Sequence, residues 1–162
     1  MNLFDIRGKK ALVTGAGRGI GLALAKGLAE AGVQVAIIDI LPEAVGIQAD
    51  LMNREERREA FERAVTNLKG LDILVNNAGM QYKHEFLSYP DDKWDAILEL
   101  DLSCAFSFMK LAGAVMKEQG AGKIINVASM NAFLGGTNCP AYAAAKAGLA
   151  QLTKSGTNEL SR

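Results

Sequence analysis

The segment "PAYAAAKAG", Pro140 to Gly148, sets Tyr142 and Lys146 four residues apart. On a helix that spacing is just over one turn, so a phenol and an ammonium share one face, within reach of a common ligand. A phenol ionises near pH 10, and a neighbouring cation lowers that by roughly 1–3 units, so the pairing favours a phenolate that can take and return a proton near neutrality. The plain alternative is an alanine-rich helix start with a tyrosine against the core and a lysine reaching solvent. The rest of the chain decides between the two.

Several chemistries lack their residues. His84 is the only histidine, and Cys104 and Cys139 have no metal-like spacing to it, so no metal site is expected. No G-x-S-x-G elbow accompanies His84, which removes most of the weight from a hydrolytic triad. Eighteen basic and eighteen acidic residues give a formal charge of zero, which supplies no electrostatic footprint for nucleic acid or an anionic membrane. No apolar run is long enough to cross a bilayer, and "MNLFDIRGKK" lacks the apolar segment of a secretory signal. A cytoplasmic protein with reduced thiols is expected.

The elements that must position the pair alternate between strand and helix. "KALVTG" (10–15) reads as a strand, and "GIGLALAKGLAEAG" (19–32) as a helix stopped by glycine. "VQVAIIDI" (33–40) reads as a second strand, and 53–70 as a helix opened by an Asn53/Glu56 capping box. "LDILVNNAG" (71–79) is a further strand. A long helix follows over 91–120, with Trp94, Ile97, Leu98, Leu102, Ala105, Met109 and Ala112 on one stripe. The strand "KIINVAS" (123–129) and a helix over 140–160 complete the series. Repeated strand-helix order with doubly apolar strands predicts an α/β fold, a doubly wound parallel sheet of Rossmann type, as a single domain over residues 1–162 without repeats or linkers.

The turn after the first strand reads "TGAGRGIG", Thr14 to Gly21. Glycines there permit a tight turn and let backbone amides approach a phosphate, and the helix N-terminus behind them favours its charge. Asp39 stands at the end of the second strand, eighteen residues beyond Gly21, where a carboxylate accepts from the adenosine ribose and repels a 2′-phosphate. NAD is therefore the expected cofactor. Arg18, a cation beside the phosphates, keeps NADP open.

Together, the turn Thr14-Gly15-x-x-x-Gly19-x-Gly21, the strand end Asn76-Asn77-Ala78-Gly79, Ser129 and Tyr142-x-x-x-Lys146 resemble the short-chain dehydrogenase/reductase family in order and spacing, over essentially the whole chain. The resemblance implies hydride exchange between a nicotinamide cofactor and a small-molecule alcohol or ketone. Tyr142 would serve as general acid-base, and Ser129, thirteen residues upstream, would hold the reacting oxygen. Lys146 would also contact the nicotinamide ribose. By position, Ile20 would lie beside the pyrophosphate, Asp50 and Leu51 around the adenine, and Asn77, Ala78 and Gly79 behind the ribose. The resemblance further implies a homo-oligomer paired through the long helix and the Tyr142 helix.

Three departures stand out. Asp101 occupies the position where the family places an asparagine in its proton relay, and it falls on the apolar stripe, so it is expected to face inward and couple to Lys146. Only seven residues, Ile40 to Gly46, separate the second and third strands, so the crossover helix is expected to be missing or reduced to a turn. The sequence also stops as the Tyr142 helix ends, whereas family members continue through two more strands and a substrate lid. The fold is thus expected to be C-terminally incomplete, with the strand before Ser129 left as an edge.

"NNAGMQYKHEFLSYPDDKW" and "INVASMNAFLGG" look most like sugar-acid dehydrogenases of the gluconate and 2-deoxygluconate type; Lys83 and His84, just past the strand end, read first as an exposed loop pair and second as contacts to a substrate carboxylate. The alternative is a catalytically impaired family member that binds nucleotide or a partner chain.

Overall fold

Leu12 and Val13 are adjacent on one strand, both fully excluded from solvent, and they enter two different cores. Successive side chains of a strand point to opposite faces, so this strand lies in the middle of a sheet covered on both sides. The computed structural model describes residues 5–42, 44 and 46–161. Its sheet has five parallel strands in the order β3-β2-β1-β4-β5: β1 Lys10–Thr14, β2 Gln34–Asp39, β3 Ile47–Gln48, β4 Ile73–Asn76 and β5 Lys123–Asn126.

Helix α1 (Gly19–Glu30) covers the face that carries Val13, packing Ala25 and Leu28 against Val33, Ile73 and Val75. On the other face, α2 (Arg54–Leu68) and α4 (Cys104–Gln119) bring Phe61, Ala64, Phe108 and Ala112 onto Leu12, Ile38 and Leu74. Burying each large aliphatic or aromatic side chain contributes roughly 1.5–3 kcal/mol. Helix α3 (Asp91–Leu98), the short α5 (Asn131–Leu134) and α6 (Pro140–Leu160) build the end of the molecule beside β5. The chain winds from β1 outward to β2 and β3, then returns to place β4 on the other side of β1. The connections that leave the carboxyl ends of β1 and β4 therefore run to helices on opposite faces of the sheet, which is where an open α/β sheet forms its ligand crevice.

The expected α/β architecture is present, and α6 begins at Pro140, where the fixed φ of proline suits a first helical turn. Strands are shorter than the apolar runs: the 71–79 run pairs only over Ile73–Asn76, because the chain beyond must leave the sheet to form the crevice. The capping box is altered. Asn53 accepts from Glu55 N and Glu56 N, while Glu56 reaches back to Asp50 N at 2.9 Å and the Asn53 side-chain amide instead of the Asn53 main chain. The long helix over 91–120 is one continuous rod, with a π-helical turn at Glu99–Ser103 that splits it into α3 and α4. Periodicity does not show this widened turn. The connection from β2 to β3 contains no helix among its described residues; Glu43 and Val45 lie outside them. β5 is an edge of the described sheet, with Ile125 half exposed.

Candidate active site

The crevice is built first by a hydroxyl at the end of β1. Thr14 is 1% exposed, and its Oγ1 accepts from the N–H groups of Asn77 and Ala78, both at 3.1 Å. Asn77 replies with its side-chain amide, which donates to the carbonyls of Thr14 at 3.0 Å and Gly15 at 2.9 Å. Two loops that leave neighbouring strands are thereby stapled to each other. Gly15, at φ +63°, lies so close to Ala78 that a Cβ would stand 2.7 Å from its Cα. A Cβ on Gly21 would stand 2.2 Å from the Gly15 carbonyl. Gly19, at φ +57°, faces open space.

At the start of α1, Arg18 occupies the cap position without a side-chain cap, so the first-turn amides are left for a ligand anion. A bare helix start, close-packed glycines and one glycine facing open space fit a dinucleotide pyrophosphate. Exposed Arg18 and Ile20 flank that turn, Ile20 with 69% of its surface free.

Asp39 is held by two main-chain donors, Gly17 N at 2.7 Å and Leu41 N at 3.0 Å. Gly17 is needed for this, since a Cβ there would press on the carboxyl carbon at 2.8 Å. Asp50 is half-buried and accepts from Met52 N at 2.9 Å. Leu51 turns its side chain into the core, and its carbonyl accepts from Arg57 Nε at 2.8 Å. Any part it takes around an adenine therefore falls to its main-chain N–H.

On α6, Tyr142 and Lys146 share a face as their spacing requires, with Lys146 Nζ 5.5 Å from the Tyr142 ring centroid. Lys146 is 4% exposed, so it does not reach solvent, and its ammonium donates to the Val127 carbonyl at 3.0 Å. Ser129 follows β5 directly, and its Oγ accepts from Asn131 N at 3.2 Å. The Asn131 side chain reaches Cys139 at the start of α6, which ties the serine turn to the tyrosine helix. Asp101 lies in the π-turn, 1% exposed. Its Oδ2 is 3.3 Å from Lys146 Nζ, and its Oδ1 accepts from Met80 N at 2.8 Å. Burial raises the Asp101 carboxyl above its ordinary value, against the opposing pull of Lys146 and the Met80 N–H.

Tyr142, Lys146 and Asp101 are thus joined by direct contacts, as are Gly15, Gly21, Asn77 and Ala78, and Asp39 with Gly17. Lys83 is exposed. His84 stacks on Tyr82 at 6.0 Å, its Nδ1 is 3.3 Å from Ser88 Oγ, and its main-chain N–H donates to Asn138 O at 2.8 Å. Sequence reasoning did not give Thr14 its stapling role, although a threonine ending a strand before a glycine turn is the available signal. It also missed a polar chain behind the site, Asn76 Nδ2 to Asn126 Oδ1 at 2.8 Å and Asn126 Nδ2 to Thr153 Oγ1 at 2.9 Å, which no local pattern announces.

Residues 9–162 match the short chain dehydrogenase family model. A 2-dehydro-3-deoxy-D-gluconate 5-dehydrogenase of Bacillus subtilis (strain 168) is 38% identical over 96% of this chain and 66% of its own length. A 5-keto-D-gluconate 5-reductase of Escherichia coli (strain K12) is 34% identical over 99% of this chain and 69% of its own. Among solved structures, a protein of Agrobacterium tumefaciens assigned as a gluconate dehydrogenase superposes with a TM-score of 0.91 at 32% identity, covering 96% of this chain and 68% of that one. The chain spans about two thirds of the length of these relatives. With a family match over nearly all its residues and the glycine turn, Tyr142 and Lys146 in place, the chain belongs to the short-chain dehydrogenase family.

Proposed function

We propose that this chain carries the cofactor-binding and acid-base part of an NAD-dependent oxidoreductase acting on a secondary alcohol or ketone. The observation that carries the reading is the buried Lys146 ammonium, stationed 5.5 Å from the Tyr142 ring on one face of α6. A lysine that merely reached solvent would not be buried against a main-chain carbonyl. Tyr142 exchanges a proton with the substrate oxygen, Lys146 favours the phenolate, and the Ser129 hydroxyl orients that oxygen. When bound, the nicotinamide supplies or accepts the hydride. Gly15, Gly19, Ile20 and Gly21 hold its pyrophosphate, Asp39 the adenosine ribose, Asp50 and the Leu51 main chain the adenine side, and Asn77, Ala78 and Gly79 the nicotinamide ribose side. The Asp39 carboxylate favours NAD, and Arg18 is the residue through which NADP would be accepted.

The substrate class is a polyhydroxy carboxylate or its keto form, supported by the names of the gluconate-type relatives. A cytoplasmic homo-oligomer fits the family, and none of the described helices is long and apolar enough to cross a membrane. The test is calorimetric titration with NADH and NADPH, followed by assays with 5-keto-gluconate and 2-dehydro-3-deoxy-gluconate. Tight NADH binding, weaker NADPH binding and turnover of a sugar acid support the reading, and turnover only of steroids or acyl thioesters removes the substrate class. A second reading, nucleotide or partner binding without turnover, is favoured by the exposure of Ile125, Met130, Phe133 and Leu134 around Ser129. NADH binding with no turnover of any alcohol or ketone selects it.

A further inference from the structure

Asp101 is buried more completely than any other carboxylate described, in the only π-helical turn among the described residues, and its two oxygens have different duties. Oδ1 accepts the Met80 N–H at 2.8 Å, on the loop that leaves β4. Oδ2 faces the Lys146 ammonium at 3.3 Å and makes no hydrogen bond of good geometry, so that contact is chiefly one of charge. Gly79 makes the approach possible, since a Cβ there would stand 2.7 Å from Oδ2.

We propose that Asp101 is a positioning residue that acts through Lys146: it fixes the ammonium against α6 and the β4 loop together, and it offsets part of the positive field that Lys146 casts on Tyr142. The proposal rests on the reading of Tyr142 as the acid-base group.

Asparagine cannot perform both duties. It has one acceptor oxygen and one donor amide, so with its oxygen on Met80 N–H it turns an NH2 toward the ammonium, and when flipped it turns the NH2 toward the Met80 N–H. Only a carboxylate accepts from Met80 N–H with one oxygen while turning a countercharge toward Lys146 with the other. In a buried site such a charge is weakly screened, so its removal is felt at a neighbouring ionisable group.

The charged and titratable groups facing this pair are few. Tyr142 lies on the Lys146 helix, Tyr89 packs into the same small core, and Glu99 and Cys104 lie on the rod that carries Asp101. Arg57 reaches over from α2 but is held by Glu99 at 2.6 Å, and burial pushes the Cys104 thiol up to about 12, so it stays neutral. The β4 loop and the end of β5 contribute main-chain groups only at this point. Burial favours a protonated Asp101, so the offset fades as pH falls and acts in the range where a phenol ionises.

The test is an ultraviolet difference titration of tyrosinate in the chain alone, for wild type, Asp101→Asn and Gly79→Ala, each with its Tyr142→Phe version subtracted. The Tyr142 signal is expected to develop at lower pH in Asp101→Asn. Gly79→Ala, which pushes the carboxylate away from Lys146, should move it in the same direction by less. Where turnover is measured, the acid limb of the pH-rate profile of Asp101→Asn should move to lower pH by about one unit. An unchanged or higher pH for the signal in Asp101→Asn overturns the proposal, and Gly79→Ala decides in its place if the first variant does not fold. A uniform loss of rate with an unmoved profile assigns Asp101 a purely structural role and also overturns it. The titration needs no cofactor, so a shifted signal without NADH binding would refute the cofactor reading alone and leave the coupling of Asp101, Lys146 and Tyr142 standing, whereas NADH binding with an unshifted signal would overturn the coupling alone.

Discussion

Arg57 Nη2 donates to Glu99 Oε1 at 2.6 Å, joining α2 to the first residue of the turn that holds Asp101. Arg57 is 1% exposed and also donates from Nε to the Leu51 carbonyl and from Nη1 to Ser107 Oγ at 2.9 Å. One guanidinium therefore braces the Leu51 main chain after β3, the π-turn and α4. Arg57→Leu leaves the Leu51 carbonyl without its donor and Glu99 with only the exposed Arg54, and the expected loss is about 3 kcal/mol of stability, read as a lower urea midpoint. A midpoint equal to wild type would show that the brace is dispensable.

Glu99 and Asp101 lie two residues apart and titrate in opposite senses. Burial alone would raise the Glu99 carboxyl, but hydrogen bonds from Arg57 and Arg54 override it and hold it below its ordinary value. Its stabilisation is present above the unfolded carboxylate value and is lost as pH falls through the lowered one. Asp101 is raised, so folding favours its protonated form, and its contribution falls as pH rises from the unfolded value through the folded one. Glu99→Gln should flatten the acid side of the stability-pH curve, and Asp101→Asn should flatten the slope above it. Thermal melts across pH would show both.

Removing the phenol oxygen tests the acid-base assignment directly. Tyr142→Phe should reduce turnover by about 10²–10⁴-fold while NADH binding persists. Calorimetry beside a rate assay separates the two effects, and an active Phe variant would require another proton donor.

The loop staple makes a different prediction. Thr14→Val keeps the shape of the side chain but leaves Asn77 N–H and Ala78 N–H without their acceptor. The expected cost is about 1–3 kcal/mol, together with weaker dinucleotide affinity. Unchanged stability would mean that the two loops hold their positions without the hydroxyl.

Two glycines of α1 should respond in opposite directions to the same substitution. Gly21→Ala would put a Cβ 2.2 Å from the Gly15 carbonyl and should abolish NADH binding, whereas a Cβ on Gly27 meets nothing within 4 Å. Gly27→Ala should therefore raise stability by about 0.8–1 kcal/mol with affinity retained.

Much of this protein is legible from local pattern. The alternation of apolar runs and helical stripes determined the parallel sheet, because burial on both faces demands strands apolar on both faces, as Leu12 and Val13 show. The Tyr142/Lys146 pair was legible because four-residue spacing on a helix is itself a geometry. The seven-residue crossover was legible by length alone.

Tertiary structure alone decided the rest. It brought Thr14 Oγ1 to two successive main-chain amides 63 and 64 residues away, and it gave Lys146 a carbonyl from Val127. It widened one turn at Glu99–Ser103 within an otherwise regular rod, and it set Gly79 against Asp101. Each of these depends on groups distant in the chain meeting at short range, and hydrophobic periodicity carries no record of which polar atoms will meet once the elements pack.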